Sequence, residues 1–361
     1  MTAAVEQPAA TLEAIIRAEI AARGPISVAE YMGLALGHPE HGYYITHDPL
    51  GAAGDFTTAP EISQMFGEMI GLWLADRLAD RLAALPPGTA QPQLVELGPG
   101  RGTLMADARR AAASLRDLPL TLVETSPALR AEQAARLPGA RHTGSFGEVA
   151  QGPLLLVANE FLDALPVHQY LSDGAAWREV RVGMGSGGGG LSFGLSTPLP
   201  GRPPAPAGAW AEESPIAEDI VASIAGRIGE HGGAALFIDY GYRAEDRPEG
   251  PTLQALRNHA KADPLEAPGT ADITWLPDFD RLVRIARNAA PVATHLAEQG
   301  AFLAALGIGQ RAASLARATP AKADEVADAL ERLCSPGAMG SRFKALAITP
   351  EGQHPPGFAA P

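Results

Sequence analysis

Cysteine, basic residues and long apolar runs are all scarce in this sequence. The single cysteine, Cys334, excludes an internal disulfide and a cysteine-based metal site. No apolar run approaches the roughly 18 residues that a membrane span needs, and the N-terminal stretch lacks the pattern of a signal peptide. Lys and Arg number 28 against 41 Asp and Glu, and the net charge of −13 disfavours nucleic acid as a partner. We therefore expect a cytoplasmic protein of a reducing compartment.

The remaining composition, 46% apolar and 19% charged, is that of a folded globular chain. From about residue 92, short apolar runs alternate with helical segments, which predicts an α/β fold with a buried parallel sheet. The predicted strands are 94–97, 120–123, 154–158 and 234–238, with two more at 292–296 and 343–348. The predicted helices are 104–115, 128–137, 217–228, 279–288, 301–306 and 324–333.

Residues before about 90 have a different pattern. Ser27 and Glu30 form a predicted capping box at the start of a helix, and a later apolar stripe at helical spacing marks another. We predict a helical N-terminal portion over 1–90, containing a long loop at 37–61, and a domain over 91–361. That domain carries a Gly/Pro-rich insertion at about 172–215, in which 183–208 is a loop or hairpin, and a helical insertion at about 250–335.

The stretch LVELGPGRGTL, residues 94–104, places a glycine loop directly after a predicted strand. A dinucleotide fingerprint requires glycine or alanine at the sixth position, where this sequence has Thr103. A phosphate-binding P-loop requires Lys-Ser/Thr, which is missing. What remains is a compact Gly98-x-Gly100-x-Gly102 that allows close approach of the backbone to a ligand. The alternative is a tight turn without a ligand.

Two acidic residues suggest which ligand this loop binds. Glu96, inside the stretch, would repel a pyrophosphate but can pair with an ammonium group. Glu124 follows the next strand, where a carboxylate can accept hydrogen bonds from both ribose hydroxyls. A ribose and a positive charge without a phosphate indicate S-adenosylmethionine. Alternatively, Glu124 is a solvated acid at a helix N-terminus.

Further polar residues follow the strand at 154–158, in the run ANEFLDALP. Because ligands of an open parallel sheet lie at the carboxyl ends of its strands, Asn159, Glu160 and Asp163 should face the reacting end of the donor. Two carboxylates suit a guanidinium, whose charge they balance and whose nitrogens they orient. The alternative is structural: Asp163 caps the next turn and Glu160 pairs with a nearby arginine.

The segment GDFTTAPE within the long loop has two interpretations. Thr58 and Glu61 have the spacing of a capping box, which explains both without a ligand. The functional interpretation is a lid over the donor, formed by Gly54, Asp55, Phe56, Thr58 and Glu61. His38, His41 and His47 match no zinc spacing, so we predict no metal site and treat them as residues that form hydrogen bonds within the loop.

Several motifs together resemble the MidA family of class I S-adenosylmethionine-dependent methyltransferases: VELGPGRGTL, GDFTTAPEISQMFGE, ANEFLDALPVHQY, ALFIDYGY and PGAMGSRFKALA. The resemblance covers about residues 26–348. It implies a Rossmann-like, seven-stranded, mostly parallel sheet with an added helical portion. It also implies protein arginine methylation, with the quinone-proximal subunit of complex I as the target of the mitochondrial assembly-factor members. The donor-binding residues are then Glu96, Gly98, Pro99, Gly100, Gly102, Thr103, Glu124, Thr125 and Ser126.

Other functions remain open from sequence. The enzyme could methylate a small molecule or another side chain, although Asn159-Glu160-Phe161-Leu162 differs from the Asn-Pro-Pro-aromatic run of amide-nitrogen methylases. The chain could also bind the donor as a structural ligand while acting as an assembly chaperone. A dinucleotide oxidoreductase ranks last. We expect a protein substrate, while the sequence leaves the oligomeric state open.

Overall fold

A computed structural model of the protein describes residues 11–47, 57–84, 91–186 and 189–359. The chain forms two compact units, each assembled from three stretches of sequence. The first unit comprises Met1–Pro49, Ala164–Pro215 and Pro248–Trp275, and the second comprises Leu50–Asp163, Ile216–Arg247 and Leu276–Pro361. The predicted division of the chain at residue 90 stays a prediction.

The helices and strands are numbered in chain order. The helices are α1 (Leu12–Arg23), α2 (Val28–Gly37), α3 (Tyr43–Thr46), α4 (Ala59–Ile62), α5 (Gln64–Ala84), α6 (Thr103–Ala111), α7 (Pro127–Arg136), α8 (Pro215–His231), α9 (Phe279–Ala289), α10 (Gln299–Ala305), α11 (Ile308–Ala318), α12 (Ala323–Cys334) and α13 (Met339–Arg342). The strands are β1 (Ile26–Ser27), β2 (Gln93–Leu97), β3 (Leu120–Val123), β4 (Arg141–Thr143), β5 (Leu154–Asn159), β6 (His168–Ser172), β7 (Trp177–Met184), β8 (Leu191–Leu195), β9 (Trp210–Glu213), β10 (Gly233–Tyr240), β11 (Gln254–Arg257), β12 (Ala260–Ala262), β13 (Asp272–Thr274), β14 (Val292–Glu298) and β15 (Phe343–Pro350).

The second unit contains a seven-stranded sheet in the order β14-β15-β10-β5-β2-β3-β4. The five strands from β10 to β4 run parallel, and β15 runs antiparallel to both of its neighbours. This confirms the predicted seven-stranded, mostly parallel α/β fold. The central strands form because their apolar runs are buried along their whole length, as β5 illustrates with six buried residues in succession.

The strand order reverses between β2 and β5. From β2 the chain builds the sheet outward through β3 and β4, whereas β5 lies on the other side of β2 and is followed by β10. Loops that leave the carboxyl ends of two such strands turn in opposite directions and open a crevice between them. The glycine loop after β2 and the ANEFLDALP turn after β5 are therefore placed at this switch point.

The first unit combines α1 to α3 with two antiparallel sheets. One has five strands, β1, β6, β7, β8 and β9, and the other has three, β11 to β13. The capping box of Ser27 and Glu30 is confirmed at the start of α2. Within the Gly/Pro-rich stretch, β7 and β8 pair as an antiparallel hairpin, one of the two predicted alternatives. Within the insertion predicted as helical, residues 254–274 contain strands, whereas α9, α10 and α12 are helices as expected.

None of the helices in the described part of the chain combines the length and the apolar character required to cross a membrane.

Candidate functional site

The glycine loop links β2 to α6 through three residues in the left-handed backbone region. Gly98, Gly100 and Gly102 have φ angles of 58°, 52° and 77°, a conformation that costs an L-residue about 1 kcal/mol or more. Gly102 is the N-cap of α6, and its N–H donates to the carbonyl of Pro99 at 2.8 Å. The turn itself therefore requires the glycines, and the case for a ligand depends on the side chains around them.

Gly98 also lies against the turn that follows β5. A Cβ atom on this glycine would lie 2.8 Å from Cδ2 of Phe161, closer than a real side chain allows. The two loops at the switch point are therefore packed together.

We expect Gly98→Ala to weaken binding of the predicted donor about tenfold or more and to lower the unfolding free energy by about 1–2 kcal/mol. The added methyl group displaces the Phe161 ring, and the backbone is strained as well. The matched control is Gly139→Ala, because Gly139 has a φ of 87° but open space around its Cβ position. Calorimetric titration with S-adenosylmethionine and thermal unfolding measure both effects. Equal losses of affinity in the two variants would contradict the contact argument.

Glu96 is a buried carboxyl group within β2. Its side chain is 3% exposed, and Oε2 has no hydrogen-bond partner among the described residues. Burial raises the pKa of Glu96 to about 8, so the group is largely protonated near neutral pH. A cationic ligand beside it would favour the charged form, which is the behaviour expected of an ammonium-binding carboxylate.

We expect the chain to release about one proton when it binds a cationic donor at pH 7, because Glu96 must ionise to form the pair. The Glu96→Gln variant should release none from this position and should bind the donor about tenfold more weakly at pH 8. Titration calorimetry in buffers of different ionisation enthalpy counts these protons. An identical proton count for both proteins would exclude Glu96 from the donor site.

The same substitution has a second readout in the unliganded protein. With its pKa raised in the folded state, Glu96 binds more protons when folded than when unfolded between about pH 4.5 and pH 8. The wild-type unfolding free energy should therefore fall as the pH rises through this window, and Glu96→Gln should fall less steeply. By this linkage, denaturant unfolding should find the variant about 4 kcal/mol more stable relative to wild type at pH 8 than at pH 4.

Glu124 follows β3 and is held by hydrogen bonds on both oxygens. Oε1 accepts from the N–H of Ser126 at 2.8 Å, and Oε2 accepts from the amide of Gln133 at 3.3 Å. Burial raises the pKa of Glu124, while the N–H groups of Ser126 and Thr125 and the Gln133 amide counteract that rise. Each oxygen retains a further lone pair, so the carboxylate can still accept hydroxyl hydrogen bonds from a ribose.

Gln133, on α7, was not predicted from the sequence. It is fully buried, and its amide nitrogen also donates to the carbonyl of Gly100 at 2.6 Å. One side chain therefore joins the glycine loop to Glu124, the two elements predicted to bind the donor. Ser126 is the N-cap of α7, which accounts for its hydroxyl without a ligand.

The interpretation of Thr58 and Glu61 as a capping box is wrong. Thr58 is the N-cap of α4, but its side chain makes no capping hydrogen bond. Glu61 instead accepts a hydrogen bond from Oγ1 of Thr103 at 2.5 Å, which joins α4 to the start of α6 beside the glycine loop. Gly54, Asp55 and Phe56, the rest of the predicted lid, lie outside the described residues, and the lid stays a prediction.

Glu160, at the end of β5, adopts an uncommon backbone conformation with φ of 50°. Its Oε1 accepts hydrogen bonds from the N–H of Ala59 at 2.9 Å and from Nδ2 of Asn159 at 3.0 Å. Non-glycine residues in this conformation cost of order 1 kcal/mol and cluster at functional sites. The structure therefore brings Asn159 and Glu160 together, and their catalytic role stays a prediction.

Asp239, at the end of the neighbouring strand β10, is a second residue that was not predicted from the sequence. Its Oδ2 accepts from three consecutive N–H groups, those of Phe161, Leu162 and Asp163, at 3.0, 2.7 and 3.3 Å. Burial first, and the negative charge of Glu160 second, raise the pKa of Asp239 to about 7. Asp163 is itself 4% exposed. Three carboxyl groups therefore lie within one turn of chain and its neighbouring strand end.

Two of the three histidines, His38 and His47, form side-chain hydrogen bonds within this segment, as predicted. Nδ1 of His38 accepts from the N–H groups of Glu40 and His41 at 3.2 and 3.3 Å, and His47 shares a 2.8 Å hydrogen bond with the hydroxyl of Thr46. Within the described residues, no cluster of three or more His, Cys, Asp or Glu is placed to hold a metal ion.

These elements fit the predicted donor. The glycine loop lets the backbone approach a ligand, Glu96 has an unpaired buried oxygen, and Glu124 is held for further hydrogen bonds. On the far side of the loop, Oδ1 of Asn159 and Oδ1 of Asp239 also have no hydrogen-bond partner in the described chain. Buried polar atoms normally have partners, so these atoms are available to hydrogen-bond with a ligand or substrate.

Comparisons with known proteins agree with this geometry. Residues 69–297 match a family described as S-adenosyl-L-methionine-dependent methyltransferases. The chain is 36% identical to the Drosophila melanogaster protein named "Protein arginine methyltransferase NDUFAF7 homolog, mitochondrial", over 93% of this chain and 84% of that protein. It is 34% identical to the human protein named "Protein arginine methyltransferase NDUFAF7, mitochondrial", over 96% and 85%.

A solved structure is similar over the same length. A likely methyl transferase from Burkholderia thailandensis, bound to S-adenosyl-homocysteine, aligns with a TM-score of 0.81 and 29% identity, covering 96% of this chain and 93% of that one. A native structure described as an uncharacterized protein of the same superfamily and organism aligns with a TM-score of 0.79.

The names of the curated relatives correct one expectation. The prediction of a cytoplasmic location is wrong on this comparison, because the fly and human relatives are both named mitochondrial.

The family match covers well over half of the chain, and the fly and human relatives resemble it over almost its whole length. Together with the sheet order, the glycine loop and the two strand-end carboxylates, these matches place the chain: it belongs to the S-adenosyl-L-methionine-dependent methyltransferase family.

Proposed function

We propose that this methyltransferase modifies an arginine side chain of a protein, and that the quinone-proximal subunit of respiratory complex I is the first target to test. The observation that carries the proposal is the group of carboxyl groups beside the glycine loop, formed by Glu160, Asp163 and Asp239. The names of the fly and human relatives, both protein arginine methyltransferases, support the same substrate class.

A guanidinium is a suitable substrate for such a group. It is always positively charged and presents a planar fork of donors, so it is stabilised in a site that contains more carboxylates than basic side chains. Glu160 is already oriented by the Ala59 N–H and the Asn159 amide, both on Oε1. Asn159 Oδ1 is a further acceptor without a partner in the described residues. These acceptors would fix which nitrogen of the guanidinium points toward the donor.

S-adenosylmethionine, when bound, supplies a methyl group on a positively charged sulfur. The chain's own contribution is mostly positioning, because a displacement of this kind depends on alignment of the reacting atoms. Glu160 holds the attacking nitrogen through its N–H. As the new C–N bond forms and the sulfur retains the electrons of the broken C–S bond, that nitrogen loses a proton, which a carboxylate takes up. Asp239 holds the turn that carries these carboxyl groups.

Mass spectrometry of a reaction containing the full chain, labelled S-adenosylmethionine and the quinone-proximal subunit of complex I tests the proposal. We expect label on an arginine of the subunit, and its loss when that arginine is changed to lysine. Label on another kind of side chain, or transfer only to small molecules, would reject the arginine assignment.

The same assay separates an enzyme from a donor-binding chaperone. In Gly100→Val a β-branched side chain occupies a position with φ of 52°. This strain should disrupt the glycine loop. We expect this variant to lose methylation of the subunit while retaining any binding to it. A chaperone without enzymatic action would leave the subunit unmethylated even with the wild-type chain.

A further inference from the structure

Strand β8, Leu191–Leu195, forms an exposed edge of the five-stranded sheet in the first unit. It pairs antiparallel with β7 on one side. On its other side, no strand of the described chain pairs with it. Protein edges are normally protected by charged side chains or proline, and the sequence LSFGL of β8 contains neither. As far as the described residues go, the edge is therefore open to another strand.

The hydrogen-bond register shows which backbone groups face outward. Bonds from Gly185 N–H to the Gly190 carbonyl and from Ser196 N–H to the Glu179 carbonyl, both 2.9 Å, flank the paired region. Hydrogen-bonded pairs alternate along an antiparallel ladder, so Ser192 and Gly194 exchange bonds with β7. The N–H and C=O groups of the remaining residues, Leu191, Phe193 and Leu195, point away from β7 toward the free edge.

The side chains at this edge extend an apolar face. Phe193 and Leu195 are 43% and 50% exposed, although their cross-strand partners Val182 and Val180 are buried in the core of the first unit. Cross-strand partners lie on the same face of a sheet. The core-facing side of the sheet therefore extends onto β8, where the Phe193 and Leu195 side chains are exposed.

The sequence of this edge strand carries no charge, although Arg17 and Arg178 donate to the carbonyls of Gly189 and Ser196, which flank it. Between Arg181 and Arg202 the sequence contains no charged residue, whereas 19% of the whole chain is charged and the net charge is −13. Two copies of so acidic a chain repel each other over most of their surfaces. Within β8 itself, no charged side chain of one copy would lie opposite a like charge of the other.

We infer that β8 pairs with β8 of a second copy, antiparallel about a two-fold axis at Phe193. This register places Phe193 opposite Phe193 of the second copy and Leu191 opposite its Leu195. Every outward N–H and C=O then has a partner, because these are the same residues that point away from β7. The two apolar faces join on the same side of a continuous sheet, as an isologous contact requires.

The contact is small, so the dimer should be weak. A single pair of five-residue strands lies at the low end of interface sizes, and we expect a dissociation constant on the order of 10 µM. Analytical ultracentrifugation of the full chain over a concentration series measures it. A wild-type protein that stays monomeric at about 100 µM would overturn the inference. It would do so even if this edge were found to bind a strand of an unrelated protein.

Charge variants at the axis test the register. Phe193→Lys and Phe193→Glu should each weaken self-association at least about thirtyfold, because like charges face each other. An equimolar mixture of the two should restore association. The matched control Ser192→Lys adds the same charge on the opposite face of β8 and should leave the dimer within about threefold of wild type.

The variants must also remain folded, and this is checked independently. The glycine loop lies in the second unit. Binding of S-adenosylmethionine and the thermal unfolding temperature should therefore be unchanged in Phe193→Lys, Phe193→Glu and Ser192→Lys. A folded Phe193→Lys protein that still dimerises, or a mixture that does not associate, would overturn the proposed pairing.

Discussion

Replacing Glu160 with glutamine is expected to slow methyl transfer about a thousandfold while leaving the dissociation constant for S-adenosylmethionine within about threefold of wild type. The glutamine keeps the size of the side chain and one oxygen that can accept from the Ala59 N–H. In the wild-type chain this N–H donates to Oε1 of Glu160 at 2.9 Å. It removes the negative charge that would hold a guanidinium and the basic oxygen that would take its proton. The loss should therefore fall on the chemical step.

Single-turnover measurements with saturating donor report that step directly, and calorimetry reports donor binding. The control is Glu325→Gln, which removes the same charge from an acid on α12 whose side chain is 74% exposed; it should leave both quantities near wild type. The opposite pattern in Glu160→Gln, with donor affinity lost and transfer to bound substrate retained, would place Glu160 in the donor pocket instead.

The strands of this fold could be predicted from the sequence because they are buried on both faces. The apolar runs at 94–97, 120–123, 154–158 and 234–238 coincide with the cores of β2, β3, β5 and β10. Runs of this kind carry a strong local signal, since nearly every residue must be apolar. The strands of the first unit lacked it: β6 and β7 are only partly buried and carry charged and polar residues along their length.

The candidate site depends on strand order, which local pattern does not contain. Glu96, Glu124 and Glu160 could be singled out because each lies at or next to a predicted strand end. No local pattern indicated that Ala59, 101 residues before Glu160, donates to its carboxylate. Asp239 lies within the ALFIDYGY motif. Its contact with the 161–163 turn depends on β10 being the neighbour of β5.

A local motif can also mislead when a distant partner competes for the same group. Thr58 and Glu61 have the spacing of a capping box, yet the Glu61 carboxylate bonds to the Thr103 hydroxyl. The fold brings the Thr103 hydroxyl to Glu61, and the carboxylate accepts a hydrogen bond from it instead of from the backbone N–H of Thr58. By contrast, Ser27 and Glu30 satisfy both halves of their capping box.

Asp239→Ala should be among the most damaging single substitutions in the second unit. It leaves three buried N–H groups without their acceptor, and each unsatisfied buried donor costs about 1–3 kcal/mol. With partial relaxation we expect a loss of about 3–5 kcal/mol in unfolding free energy. Methyl transfer should fall at least about a hundredfold in the fraction that stays folded, because the 161–163 turn positions Glu160 and Asp163.

Asp239→Asn distinguishes this positioning role from a direct one. The asparagine oxygen can accept the same three N–H groups, so denaturant unfolding should show a loss of only about 1 kcal/mol. If Asp239 acts through the turn, methyl transfer by Asp239→Asn should stay within about tenfold of wild type. If its second oxygen, Oδ1, contacts the substrate as an anion, the asparagine variant should be as inactive as the alanine variant while remaining nearly as stable as wild type. Comparing stability and single-turnover rate in the same two proteins therefore separates a residue that shapes the acidic turn from one that binds the guanidinium.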